Sequence, residues 1–293
     1  MRFNVYIIYK MSKTLIINSS NYITGSGNKF VYRFPNTVSF HAGSSIGVSS
    51  ISMYNSTFNI ESSRGNNVIN IIWLGITYTL IFEDGYYSVS DINFRIQQFC
   101  ILNNLYVTSN SGANIVYFIE LVVNSVRYST QINAYAIPTE ATALSLGYTK
   151  PTSSWSYPST ATTPQIYLAT QAFANLLGFT TGTFPSTTFG TTQSFLSTKT
   201  PVISPINSYI MTCNLLNSKF SIPNTTFFSL PLSGSLGTLI VSNMTSVIYN
   251  MINPQHYNEI IITFYDQNFN ALILHDFDVT ITLAILEVEK PKQ

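Results

Sequence analysis

The chain has 293 residues, 45% of them hydrophobic, with 19 Tyr and 20 Phe, so it can bury a sizeable core and is not a disordered chain. Only 9% of its residues are Asp, Glu, Lys or Arg, against about 25% in an average soluble protein. A net charge of +1 without a basic run argues against nucleic acid as a specific partner. A surface this poor in charge repels little, and the composition favours association with neighbouring molecules.

Redox and targeting signals are few. Cys100 and Cys213 lie far apart in neither a metal-ligand nor a redox spacing, so we predict buried free thiols. No apolar run reaches the roughly 18 residues of a membrane-spanning helix, and we predict no membrane span. The start MRFNVYIIYK lacks a small-residue cleavage site, which disfavours a signal peptide; translation starts at Met1 or at Met11.

Segments rich in β-branched and aromatic residues dominate the chain and predict strands. They cover residues 28–35, 44–56, 68–85, 114–138, 208–216, 259–266 and 279–287. Several alternate polar with apolar residues, which is typical of half-buried strands. The break at Gly25-Ser26-Gly27 predicts a turn and not a phosphate-binding loop, because a strand and not a helix follows it.

Helix is predicted at two places. In residues 88–104, Ser88 or Ser90 can cap the first turn, which also contains Asp91. The apolar stripe of this helix consists of Ile92, Ile96, Phe99 and Cys100. A second, short helix is predicted at 171–179 and ends at Gly178. Many short strands with one or two short helices predict an all-β sandwich or barrel, with the single jelly roll as the leading option.

Residues 139–168 are rich in Thr, Ser and Pro and show little periodicity, so they predict a long loop. Together with the strands that begin near residue 105, they predict a β-rich insertion in the sandwich. The predicted domains are therefore 11–104 for the first part of the jelly roll, 105–168 for the insertion and 169–290 for the second part.

The stretch FYDQNFNALILHDFDVTITL concentrates acidic residues near the C-terminus. Asp266–Asn270 lies between two apolar runs and predicts a turn. His275, Asp276 and Asp278 then precede the last predicted strand. The alternation of that strand places both carboxylates opposite its apolar face, which favours a solvated strand end. A site for a hard cation at Asp276 and Asp278 is the minor alternative.

The other candidate residues do not combine into a reaction centre. His41 and His256 are isolated and no nucleophile motif accompanies them. Four aromatic residues can stack on a sugar or a base, although core packing is the commoner role in so aromatic a chain: Tyr86, Tyr87, Trp155 and Tyr157. We therefore predict no catalytic, cofactor-binding or metal-binding residues and no enzymatic activity.

Five segments, in order, resemble the penton proteins of virophages and polinton-like viruses, which are the minor capsid proteins of the fivefold vertex. They are SSIGVSSISMYNS at 44–56, EDGYYSVSDINFRIQQF at 83–99, FANLLGF at 173–179, PVISPINSYIMTCNLLN at 201–217 and FYDQNFNALILHDFDVTITLAIL at 264–286. Each motif is short, and their order and spacing carry the resemblance. The stretch of about 105–168 departs from the family, whose shorter members lack it.

The resemblance implies a jelly roll that stands at the vertex of an icosahedral DNA virus. It implies a homopentamer, surrounded by trimers of a double jelly-roll major capsid protein and assembled inside the infected cell. A host-attachment or carbohydrate-binding module is the alternative function, motivated by the β-rich fold and by the loop that contains Trp155 and Tyr157.

Overall fold

A computed structural model of the chain describes residues 10–109, 112–151, 155–232 and 234–288. The chain divides into two compact units. The terminal unit combines Met1–Thr57 with Ile206–Gln293, and the inserted unit is Phe58–Pro205. Each unit has a hydrophobic cluster of its own.

Strands predominate in both units. In chain order they are β1 (Lys10–Ile17), β2 (Lys29–Ser39), β3 (Ser45–Tyr54), β4 (Val68–Trp73), β5 (Ile76–Ile81), β6 (Val107–Ser109), β7 (Asn114–Val116), β8 (Ile119–Asn124), β9 (Ser129–Ala134), β10 (Gln165–Leu168), β11 (Gly182–Phe184), β12 (Gln193–Leu196), β13 (Ser208–Cys213), β14 (Thr226–Pro231), β15 (Leu239–Asn243), β16 (Asn250–Met251), β17 (His256–Tyr265) and β18 (Thr280–Val288). The α-helices are α1 (Val89–Leu102), α2 (Glu140–Ser145) and α3 (Gln171–Leu176).

The terminal unit contains two antiparallel sheets. The first has the order β1-β18-β3-β15, with the short β16 also paired to β3, and the second has the order β14-β13-β17-β2. Apart from β16, the described part of this unit has eight strands, four in each sheet. Their division between the two sheets is that of a jelly roll, which consists of two Greek keys. The prediction of an all-β single jelly roll is thereby confirmed.

The core of this unit consists of residues from both sheets. On β18, Ile281, Leu283 and Ile285 are buried, and the residues between them turn away from the core. The same cluster contains Ile17, Ile51, Phe30, Met211, Ile262 and Phe264. The alternation that predicted the last strand therefore also selects the face that it buries.

The inserted unit is built from smaller sheets. Their orders are β11-β10-β4-β5, β12-β9-β8 and β6-β7. The segment 68–85, predicted as a single stretch of strand, is the hairpin of β4 and β5. Its two turn residues, Leu74 and Gly75, have φ of 50° and 82°, the positive values that a tight two-residue hairpin turn requires.

Both predicted helices are confirmed. Ser88 caps α1, and its hydroxyl accepts from the Asp91 N–H while the Asp91 carboxylate accepts from the Ser88 N–H. Thr170 caps α3, and Gly178 follows that helix with a φ of 76°. A third helix, α2, begins after Thr139 within the stretch predicted as a loop.

The boundaries of the inserted unit differ from the predicted 105–168. The unit begins at Phe58 and ends at Pro205, because the elements on both sides of 105–168 share its core. Trp73, Ile92 and Phe173 belong to one cluster with Ile132. The predicted jelly-roll parts 11–104 and 169–290 therefore each include residues that fold with the insertion.

Candidate assembly surface

Apart from Lys10, which begins β1 and pairs with Val288, the outer face of the first sheet of the terminal unit is uncharged. Residues that are paired across neighbouring antiparallel strands lie on the same face, and the registers place Ile16 opposite Thr282 and Val241 opposite Ser52. The outer face, as defined here, consists of Ser12, Thr14, Ile16, Thr280, Thr282, Ala284, Ser50, Ser52, Tyr54, Leu239, Val241 and Asn243. None of these residues is Asp, Glu, Lys, Arg or His.

Large apolar side chains on this face are open to solvent. Ile16 is 54% exposed, Leu239 47% and Val241 57%. Charged residues are depleted from the centres of protein interfaces because their desolvation is costly. A face of Ser, Thr, Asn and aliphatic side chains avoids that cost, so its composition favours contact with another protein.

The second sheet differs on its solvent side. The register pairs Glu259 with Arg33 and Thr263 with Lys29, so three charged side chains share this face. Arg33 Nε and Glu259 Oε2 are 3.7 Å apart. The uncharged character is thus a property of the first sheet and not of the whole sandwich.

A segment that leads into β16 extends the apolar surface next to β3. It packs so closely on Gly47 that a Cβ there would lie 2.4 Å from Val247 Cγ1 and 2.7 Å from the Ile248 carbonyl oxygen. Ile248 is 79% exposed and Met251 is 62% exposed. Gly47 therefore permits this segment to lie against the sheet. The exposed side chains of Ile248 and Met251 add to the apolar surface.

The closing segment forms a turn as predicted. The Asp266 carboxylate accepts from the N–H groups of Asn268 and Asn270 at 2.8 and 2.9 Å. Further on, Asp276 accepts from the Asp278 N–H at 2.8 Å. Both carboxylates therefore bond their own backbone, which is the usual role of Asp in connections. His275, directly before Asp276, is exposed.

No metal-binding cluster of three or more His, Cys, Asp or Glu side chains occurs within the described ranges. His256, the first residue of β17, hydrogen-bonds the Ser39 hydroxyl at the end of β2, whereas His41 is half-buried after β2. Gly25 and Gly27, with φ of 79° and 76°, form the predicted turn.

The two cysteines are buried free thiols, as predicted. Cys100 lies on the core side of α1, and Cys213 ends β13. Burial raises the pKa of each thiol to about 12, because a thiolate loses its hydration in an apolar environment. Neither sulfur therefore has the properties of a nucleophile at neutral pH.

Trp155 belongs to the core of the inserted unit. It is 7% exposed, and its indole N–H donates to the Asn104 carbonyl oxygen at 2.6 Å. Its ring contacts Trp73 edge-on, with 5.4 Å between centroids. The indole has no open face for a sugar, so the residue that motivated the carbohydrate-binding alternative has a packing role. Tyr86 and Tyr87 are half-buried and donate or accept hydrogen bonds within the same unit.

Sequence patterns missed the strands that form both edges of the first sheet. β1 and β15 were absent from the predicted set, and with them Ile16, Leu239 and Val241. The run Leu239–Val241 follows Gly237 and precedes Asn243, and a short apolar run with such borders is a usable strand signal. The solvent exposure of this run cannot be predicted from the local sequence, because it depends on which strand pairs beside it.

The fold and this surface define a class of protein: a single jelly roll with an uncharged outer face and a large insertion between its third and fourth strands. A scan against protein-family models found no matching family, and a search of curated proteins found no match. In the described residues no helix is long and apolar enough to cross a membrane.

Among solved structures, the chain is similar to the crystal structure of the selenomethionine-labelled mavirus penton protein. The TM-score is 0.42 at 11% identity, and the alignment covers 97% of this chain and 100% of that chain. The protein found is a penton protein. The jelly-roll assignment itself rests on the strand order and register described above.

Proposed function

We propose that this chain is a structural capsid protein of an icosahedral DNA virus and forms the pentameric vertex, or penton, of the shell. In this role it closes the shell between trimers of the major capsid protein, resides in the virion and catalyses no reaction. The observation that carries the proposal is the single jelly roll with an uncharged, partly apolar outer face. The ordered penton-like segments of the sequence support it.

The physical argument concerns how identical subunits close into a ring. A contact between two different surfaces of identical subunits generates a ring when its rotation closes, here after five copies. The outer face supplies a surface that loses water at low cost, since Ser, Thr and aliphatic groups replace ion pairs. Jelly rolls recur in viral capsid and lectin domains, and the burial of Trp155 favours the first of these two roles.

The test is the mass of the purified chain, measured by size-exclusion chromatography with light scattering. A pentamer of 32.7-kDa chains has a mass of about 164 kDa. We expect this mass for the chain alone, or, for a chain that is monomeric alone, incorporation into assemblies with its major capsid protein. A chain that stays monomeric and never joins capsid protein in co-assembly would contradict the proposal.

A further inference from the structure

β5 forms an open edge in the inserted unit. Among the described strands it pairs with β4 alone, through an unbroken register from Val68↔Ile81 to Trp73↔Ile76. Just beyond it, Phe82 N donates to Asn67 O at 2.8 Å. Antiparallel ladders alternate bonded and non-bonded pairs. The backbone groups of alternate residues on β5, which are Thr77, Thr79 and Ile81, therefore face the open side.

This edge lacks the features that protect sheet edges from pairing. Such edges usually contain charges, prolines or bulges, or they are very short. β5 reads ITYTLI, with none of these features, and Ile76 and Ile81 are 55% and 61% exposed. By contrast, the edge strand β2 contains Arg33 and Pro35, and β8 contains Glu120. An unprotected edge of this length is suited to pairing with an added strand.

A cavity of about 230 Å³ lies beside this edge. Its walls come from β5 and from the second half of α1, and its lining includes Ile81, Arg95, Gln98, Phe99 and Leu102. Leu102 is 81% exposed, so the rim is apolar. In strand addition, main-chain bonds supply affinity and pockets for alternate side chains supply specificity.

Arg95 gives the cavity a preference for an acidic ligand. One guanidinium nitrogen, Nη1, donates to Gln98 Oε1 at 3.0 Å, whereas Nε is buried and has no hydrogen-bond partner within the described residues. None of the ion pairs found in the described part of the chain involves Arg95. A buried donor without an acceptor is costly, and a guanidinium best matches a carboxylate.

We propose that β5 and this cavity bind an extended segment of a partner protein whose only charged side chain is one Asp or Glu. The segment adds a strand to β5 through Thr77, Thr79 and Ile81. Its carboxylate accepts from Arg95, and its neighbouring aliphatic side chains contact Ile81 and Leu102. The site lies wholly within the inserted unit and does not depend on the proposed pentamer.

The probe is a fluorescent peptide, Thr-Val-Thr-Glu-Thr-Val-Thr, which places Glu and both Val on one face of a strand. Binding to the full chain is measured by fluorescence anisotropy. We expect the Glu peptide to bind about tenfold more tightly than its Gln version, and the Lys version not to bind. Amide exchange at Thr77, Thr79 and Ile81, followed by NMR, should slow on binding.

Two N-methylated peptides test the pairing without altering the protein. One has methyl groups on the odd amides and the other on the even amides, so only one set blocks bonds to β5. We expect one isomer to lose binding and the other to retain it. Equal binding of both would overturn strand addition.

Arg95→Met tests the carboxylate contact. It should reduce the ratio between Glu and Gln peptides to near one, whereas Arg127→Met, at an exposed turn position, should leave that ratio unchanged. An unchanged ratio in Arg95→Met would show that Arg95 does not bind the peptide carboxylate. If no peptide binds at millimolar concentration, or if the amides of Thr77, Thr79 and Ile81 are already protected from exchange in the chain without peptide, the proposed site is wrong.

Discussion

At the start of α1, Ser88 and Asp91 form hydrogen bonds with each other, so this N-cap depends on two residues alone. Ser88→Ala removes the hydroxyl that accepts from the Asp91 N–H at 3.1 Å. We expect a loss of about 1 kcal/mol in the free energy of unfolding, which is the usual cost of an N-cap. The measurement is chemical denaturation, and Ser90→Ala, in the same turn but outside the cap, should have little effect.

The same cap gives a pH dependence. Hydrogen bonds from Ser88 hold the pKa of Asp91 below its ordinary value of 3.8. A carboxyl with a lowered pKa stabilises the folded state above its ordinary pKa, and this stabilisation is lost as the pH falls through the folded value. The difference in melting temperature between wild type and Ser88→Ala should therefore shrink below about pH 4. A difference that grows in acid would contradict this assignment.

The buried cysteines give a second prediction at this scale. With a pKa of about 12, both thiols stay protonated in the folded chain. An aromatic disulfide reagent at pH 8 should label no cysteine in the native protein and two after denaturation in guanidinium. Rapid labelling of either residue in the native state would show that the residue is accessible.

At the scale of elements, the approach of the segment at Val247 and Ile248 to β3 depends on Gly47. Gly47→Ala places a methyl group 2.4 Å from a side chain and 2.7 Å from a backbone oxygen. We expect a loss of about 1–3 kcal/mol, which is typical of overpacking. Gly190→Ala, whose new Cβ would meet its nearest neighbour at 3.4 Å, is the matched control and should be close to neutral in thermal melts.

At the scale of the whole molecule, the division into units predicts which excision leaves a folded sandwich. Thr57 Oγ1 lies 3.3 Å from the Tyr209 hydroxyl, so a short Gly-Ser linker can join Thr57 to Ile206. We expect this shortened chain to melt cooperatively, because both sheets of the jelly roll remain. Excision of 105–168 should instead leave exposed core and bind a hydrophobic dye, since it removes part of the second cluster.

The outer face gives a prediction about assembly. Val241→Lys introduces a charge into the uncharged surface, and we expect the pentamer fraction in light scattering to fall at least about tenfold, because a buried unpaired charge is costly. Val126→Lys, at a position that is 90% exposed in a turn of the inserted unit, should assemble like wild type. Equal assembly of the two variants would place the subunit contact elsewhere.

Much of the local structure could be predicted from the sequence. Alternation predicted β18 and the side it buries, Ser88 and Asp91 predicted the start of α1, and Asp266–Asn270 predicted a turn. These features depend on contacts within a few residues, so the signal and its physical cause lie in the same short segment. The resemblance of ordered segments to penton proteins likewise needed no coordinates.

Only the tertiary structure decided the limits of the insertion, the burial of Trp155 and the exposure of Val241. Each depends on pairing between distant parts of the chain, such as Lys10 with Val288 in β1 and β18. A strand sequence does not specify which neighbour covers it, and a Thr-rich stretch such as 139–168 gains order only from the core it joins. Local composition therefore determined the elements, and long-range packing determined which surfaces remained open for a partner.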